Sequence, residues 1–146
     1  MLRRVDRLPG GVARLVDAVP DEDLTACLHL IVATVLDVTA VSTPEIREIT
    51  GQWRRQGGTT AAGIARLRLV AAQHDFDAFA HQRRGDIGAQ RESFRRARAV
   101  DCAVAAMSTS AAGESPRDAL RDTAYEAAAA LGGSAGVVAV LADHVV

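Results

Sequence analysis

The stretch that decides the fold is residues 59–84, TTAAGIARLRLVAAQHDFDAFAHQRR. At helical spacing its apolar residues fall on two faces instead of one. One face carries Ala65, Leu69, Ala72, Phe76 and Phe79, and the other carries Ile64, Leu67, Val70, Ala71 and Ala78. We therefore predict a long helix that is covered on both sides in the biological assembly, with Leu67 and Phe76 mostly buried.

The composition favours an all-α protein with closely packed helices. The 146 residues include 29 alanines, and alanine is both the best helix former and small enough for helices to approach closely. No run alternates for long enough to form a strand, and the length is typical of one domain. We predict a single all-α domain over residues 1–146. It is a compact helical bundle of six or seven helices, with residues 26–39 and 59–84 as the two buried central helices.

Capping signals divide the rest of the chain. Acids at positions 21–23 precede a helix to about Thr39, and the run at 42–45, Ser-Thr-Pro-Glu, opens a helix that Gly57 and Gly58 end. A further helix covers 87–108 and buries Phe94, and residues 110–113 form a loop. Ser115 and Pro116 then open a helix to Leu131. Short helices at 12–19 and 136–146 complete the prediction.

Charge and cysteine content narrow the expected cellular compartment and the expected classes of binding partner. The net charge of −1 gives the whole molecule no electrostatic reason to bind nucleic acid or an anionic membrane. Cys27 and Cys102 belong to no metal-binding spacing, so we expect reduced, packed thiols. The first residues lack the features of a signal peptide, and the most apolar run, 26–36, is too short to span a bilayer. We expect a cytoplasmic protein without a cofactor.

One group of residues has the composition of a metal site. His74, Asp77 and His81 are spaced by three and four residues, so on a helix they could converge on one ion. The same spacing fits a packed histidine at the rim of an apolar face beside an ordinary Asp77–His81 pair. No second ligand-bearing motif such as HExxH accompanies the group. A small metal-dependent helical enzyme is therefore the alternative hypothesis.

Two charged stripes follow one another along the chain. Three arginines form a basic stripe on the helix at 87–108, and three acids form an acidic stripe on the next helix. The stripes comprise Arg91, Arg95 and Arg98, and Asp118, Asp122 and Glu126. They either latch to each other, present a charged surface to a protein partner, or form a solvated face with weak ion pairs. We take all six residues as candidate partner-binding residues, and a homo-oligomer is compatible with this pattern.

The segment at residues 45–68 superficially resembles a helix-turn-helix. In that hypothesis the glycine pair at 57–58 forms the turn, and the basic residues that contact DNA are Arg54, Arg55, Arg66 and Arg68. A recognition helix must leave one face free for the major groove. Because the following helix is apolar on both faces, a DNA-binding regulator remains an alternative and nucleic acid is not the expected partner.

The alanine-rich C-terminal half is similar in general character to the small helical immunity and antitoxin proteins of bacteria with GC-rich genomes. This similarity implies a protein that acts by binding another protein. The chain also lacks a serine-hydrolase elbow, a phosphate-binding loop and a dinucleotide fingerprint. The sequence therefore predicts a non-catalytic helical protein of immunity, antitoxin or adaptor type that binds a protein partner through charged helix faces.

Overall fold

The computed structural model describes residues 3–108 and 114–145, and these contain helices and connecting turns without a strand. The seven α-helices of these residues are α1 Val12–Ala18, α2 Leu24–Val38, α3 Pro44–Gln56, α4 Ala61–Arg83, α5 Ile87–Met107, α6 Pro116–Leu131 and α7 Ala135–Ala142. Short 3-10 helices at Arg4–Arg7 and Asp21–Asp23 precede α1 and α2. The predicted all-α bundle of six or seven helices is confirmed. The loop predicted at 110–113 lies outside the described residues.

Local capping chemistry explains where the helices begin and end. Four side chains, those of Thr43, Thr60, Asp86 and Ser115, accept a hydrogen bond from the backbone N–H three residues further on. These bonds satisfy N–H groups that have no partner inside the helix. Gly57 and Gly132 end α3 and α6 with φ angles of 71° and 74°. Glycine suits both positions because side chains disfavour this left-handed conformation.

The centre of the bundle is α5. It packs along α4 on one side and along α6 on the other, and α2 contacts both α5 and α6. Many of the fully buried residues of α5 and α6 are alanines, among them Ala99, Ala103, Ala119, Ala124 and Ala127. Small side chains let the helix axes approach closely. The backbones of α5 and α6 therefore pack near each other, with alanines filling much of the space between them.

The outer face of α4 differs from the prediction. Ile64, Leu67 and Ala71 on its inner face are buried, but Phe76 on the opposite face is exposed. The prediction that Phe76 is buried is therefore wrong for the single chain, and so is the prediction for Phe94 of α5. Helix α4 packs mainly against α5. Apolar periodicity shows that a face is suited to burial, but it does not say whether the cover comes from the same chain.

The cysteines are packed as expected. Cys27 and Cys102 are both free and buried. Burial raises the pKa of the Cys27 thiol to about 11, with the Asp23 charge as a smaller cause. Burial also raises the pKa of the Cys102 thiol. Neither thiol is therefore ionised near neutral pH. Within residues 3–108 and 114–145, no helix has the length and apolar character needed to cross a membrane.

Candidate protein-binding surface

Large apolar side chains are exposed together on α4 and α5. Leu69, Phe76 and Phe79 of α4 keep 72%, 64% and 57% of their surface exposed. Ile87 and Phe94 of α5 keep 60% and 44%. These five residues, which we call the apolar hairpin surface, include all three phenylalanines of the chain. Aromatic residues are normally among the main contributors to a protein core, so their exposure on one pair of helices needs an explanation.

A groove lies between the end of α4 and the start of α5. Its volume is about 560 Å³. Its apolar wall is formed by Ala78, Phe79, Ile87 and Phe94, and its polar wall by Asp75, Gln82, Gln90 and Arg91. A groove of this kind accepts apolar side chains of a partner while polar groups at the rim fix the orientation. The groove therefore offers an apolar wall and a polar wall side by side.

The basic stripe divides into residues with different environments. Arg98 donates to Asp75 at 2.6 Å, lies 3.1 Å from Asp101, and stacks over the ring of Phe94. Asp101 is partly buried, and the Arg98 guanidinium one turn away compensates its charge. Burial raises the pKa of Asp101, whereas Arg98 opposes this shift. The Arg98–Asp75 ion pair thus joins α5 to α4.

Arg95 and Arg91 complete the basic stripe. The guanidinium of Arg95 lies so close to Gly132 that an added Cβ there would be 2.6 Å from Nη2. A cation at this position complements the negative end of the α6 dipole. Arg91 lines the groove and forms no ion pair with any described residue. Of the three arginines, Arg91 is therefore the one that lines the groove.

The acidic stripe forms its ion pairs with arginines outside α5. Asp118 pairs with Arg3 and Arg121, and Glu126 pairs with Arg4 at 3.0 Å. The Arg4 guanidinium also lies 4.0 Å from the ring centroid of Tyr125. Burial raises the pKa of Glu126, and Arg4 opposes that shift.

The two stripes are not latched to each other in the described part of the chain. No ion pair joins Arg91, Arg95 or Arg98 to an acid of α6. Asp122 is exposed. The segment that contains Arg3 and Arg4 covers the acidic stripe instead, a role that sequence reasoning missed. No local pattern links these arginines to acids so far along the chain.

The metal hypothesis gains no support from the geometry. His74, Asp77 and His81 are all partly exposed on α4, and Asp77 accepts a hydrogen bond from Gln73 at 3.1 Å. Burial lowers the pKa of His74, and the nearby Arg96 lowers it further. Among the described residues, no three His, Cys, Asp or Glu side chains are close enough together to hold a metal ion.

The residues on the outer face of α4 argue against the helix-turn-helix hypothesis. Arg54, Arg55, Arg66 and Arg68 are all exposed, and Arg66 lies 3.6 Å from Glu45. The free outer face of α4 removes the geometric objection to a recognition helix. However, the start of that face carries alanines and Leu69, whereas base edges are read mainly by hydrogen-bonding side chains.

The spacing of the exposed residues on α4 is the signal that could have identified this surface. Leu69, Ala72, Phe76 and Phe79 are separated by three, four and three residues. That alternation is typical of a face that meets another helix. Comparisons with protein-family models, curated proteins and solved structures found no match to this chain.

Proposed function

We propose that this chain is a small, non-catalytic cytosolic protein that binds a protein partner through the apolar hairpin surface. The observation that carries the proposal is the exposure of all three phenylalanines on α4 and α5. Monomeric soluble proteins rarely expose large contiguous apolar patches, and such patches mark interaction sites. The two free, buried cysteines support a reducing compartment.

The proposal places the binding energy in apolar contacts and gives Arg91 a secondary role. Aromatic side chains at the centre of an interface contribute most of the affinity, whereas charges at its rim mainly orient the partner. The partner would insert apolar side chains into the groove and place an acidic group near Arg91. This mode of action suits an immunity protein, an antitoxin or an adaptor.

Affinity purification from the native host tests the proposal. We expect tagged wild-type protein to retain a partner that Ile87→Ser protein binds at least tenfold more weakly, because burying an aliphatic side chain contributes about 1.5–3 kcal/mol. Val38→Ser is the matched control, since Val38 is an aliphatic residue of similar exposure elsewhere on the surface. Retention of the same partner by wild-type, Ile87→Ser and Phe94→Ser proteins, all folded, would contradict the proposal.

A charge substitution separates the apolar contacts from the basic stripe. Arg91→Ala should weaken partner binding modestly and leave the melting temperature unchanged, because Arg91 forms no ion pair with any residue that the structure describes. Arg14→Ala, which removes an exposed arginine of α1, is the control. Arg95 and Arg98 are unsuitable for this purpose because both contact other helices.

A further inference from the structure

The outer face of α4 carries a regular line of apolar residues, which we call the α4 seam. Its members are spaced alternately by three and four residues and comprise Ala62, Ala65, Leu69, Ala72, Phe76 and Phe79. All six are exposed. This alternation, with a mean repeat of about 3.5 residues, is the spacing of positions that meet a partner helix in a coiled coil. The α4 seam is therefore suited to pairing with a helix.

Side-chain sizes along the α4 seam favour an antiparallel pairing with an identical seam. When two copies of α4 run in opposite directions about a twofold axis near the middle of the seam, one register places every large residue against an alanine. The facing pairs are Leu69 with Ala72, Phe76 with Ala65, and Phe79 with Ala62. Layers of equal volume pack without voids. A parallel pair would instead set Phe76 against Phe76 and leave gaps between the alanines.

The charges beside the seam favour the same direction. At about 100° per residue, Arg68 and Asp75 lie on one flank of the α4 seam, and Arg66 and Asp77 lie on the other. On each flank the arginine is nearer the N-terminal end. In antiparallel helices each flank meets the same flank of the other copy in reverse, so every arginine approaches an aspartate. In a parallel pair the arginines would gather at one end and the aspartates at the other.

Arg68 and Asp75 remain accessible to a second copy, whereas Arg66 lies 3.6 Å from the exposed Glu45 and Asp77 accepts a hydrogen bond from Gln73. Arg68 is exposed and forms no ion pair with any described residue. Asp75 accepts a hydrogen bond from Arg98 of its own chain but keeps 47% of its side chain exposed. A carboxylate has lone pairs enough to accept from two arginines at once.

We propose that a second copy of this chain covers the α4 seam, and that the two α4 helices pair in antiparallel orientation. This inference rests on the proposed function, since it names the partner for one part of the apolar hairpin surface. Full burial of an aromatic side chain removes about 150–250 Å² from water, so the four Phe76 and Phe79 side chains of a dimer supply on the order of 500 Å². The alanines, Leu69 and the flanking charges bring the interface to the lower end of the roughly 1,200–2,000 Å² range of stable complexes. The dimer should therefore dissociate on dilution.

Sedimentation velocity across a dilution series tests the dimer. We expect the purified wild-type chain to approach twice 15.4 kDa at high concentration and to dissociate as it is diluted. Arg68→Glu should shift the dissociation constant upward by at least tenfold, because two like-charged pairs replace two ion pairs. On the other flank Asp77→Arg should do the same, and the double variant Arg66→Glu/Asp77→Arg should restore dimerisation, because neither change touches the Asp75–Arg98 pair within the chain. Arg14→Glu, an equal change in charge on α1 and away from the seam, should leave dimerisation unchanged.

Orientation is tested separately by spin labels at the exposed end of α4. Labelling an Arg83→Cys variant spares Cys27 and Cys102, because both are buried. The proposed register separates the two labels by about 40 Å, from a rise of about 1.5 Å per residue. A parallel pair would bring them within about 20 Å, since packed helix axes are about 8–10 Å apart. The shorter distance would overturn the antiparallel proposal.

The outcomes separate this inference from the proposed function. A chain that stays monomeric at all concentrations, or a dimer that Arg68→Glu does not weaken while the variant remains folded, overturns the inference. If such a monomer still captures a host protein that Ile87→Ser loses, the proposed function stands and another protein occupies the surface. If the chain stays monomeric and captures no host protein, both the dimer and the proposed function are contradicted. Rescue by the double variant supports the antiparallel pair, because a merely destabilised fold would not regain dimerisation.

Discussion

Leu67 and Leu69 are two residues apart on α4, and they lie in opposite environments. Leu67 is fully buried against the bundle, whereas Leu69 keeps 72% of its surface exposed. The same contrast holds on a larger scale between the α5–α6 core, which is rich in alanine, and the outer α4–α5 surface, which contains every phenylalanine. Small side chains are prominent where α5 meets α6, whereas the three phenylalanines stay exposed and Trp53 of α3 is the aromatic residue buried in the core.

The largest expected effect comes from truncating each leucine in turn. Leu67→Ala should lower the free energy of unfolding by about 2–5 kcal/mol, because it leaves a cavity in the core. Leu69→Ala should change it by less than about 0.5 kcal/mol when the protein is dilute enough to be monomeric. Urea denaturation at low protein concentration measures both values. Equal losses for the two variants would mean that the outer face of α4 is covered within the single chain.

A smaller effect is expected from the arginines that contact α6. Arg4→Ala removes the ion pair with the half-buried Glu126 and the stacking on Tyr125, so we expect a loss of about 1 kcal/mol. Arg66→Ala removes the exposed pair with Glu45 on the α4 side and should cost about 0–0.5 kcal/mol. Thermal denaturation of the two variants compares the regions directly. A larger loss of stability for Arg66→Ala than for Arg4→Ala would contradict the prediction that the contacts with α6 contribute more than the exposed pair on α4.

The smallest effect concerns His74, where α4 meets α5. Burial and the Arg96 charge lower the pKa of His74 in the folded state. A lowered histidine pKa means that the unfolded chain binds the proton more readily, so stability falls as the pH drops through the ordinary value near 6.5. Arg96→Gln should raise the pKa of His74, as followed by NMR titration. Arg91→Gln is the control, because it removes another positive charge from α5. An equal change in the His74 pKa in both variants would mean that Arg96 has no specific effect on that pKa.

The helices and their ends could be predicted because the signals are local. Thr43, Ser115 and the glycine at 132 mark their boundaries through bonds to residues a few positions away. The exposure of Phe76 could not be predicted in this way, since an apolar face looks the same whether its cover is the same chain or another. The two apolar faces of α4 were correctly identified, and the error lay in assigning both of them to one bundle.

The candidate site was predicted less well than the fold. The sequence left three arrangements open for the two stripes: a latch between them, a surface for a partner, or a solvated face with weak ion pairs. The structure instead pairs Asp118 and Glu126 with Arg3 and Arg4. Such pairing depends on how distant segments come together, and no periodicity in either segment indicates it. The partner-binding role of the charged residues stays a prediction, and Arg91, Arg95 and Asp122 are the members that remain exposed.

The contacts of Arg3 and Arg4 have a consequence for the order of folding. Their partners on α6 are 115 and 122 residues further along the chain. Contacts of such high sequence separation form only after the intervening helices have assembled, because they close a very long loop. We therefore expect these pairs to be absent from the folding transition state. Their loss should speed unfolding and leave the folding rate nearly unchanged, so they govern how long the native state persists once it has formed.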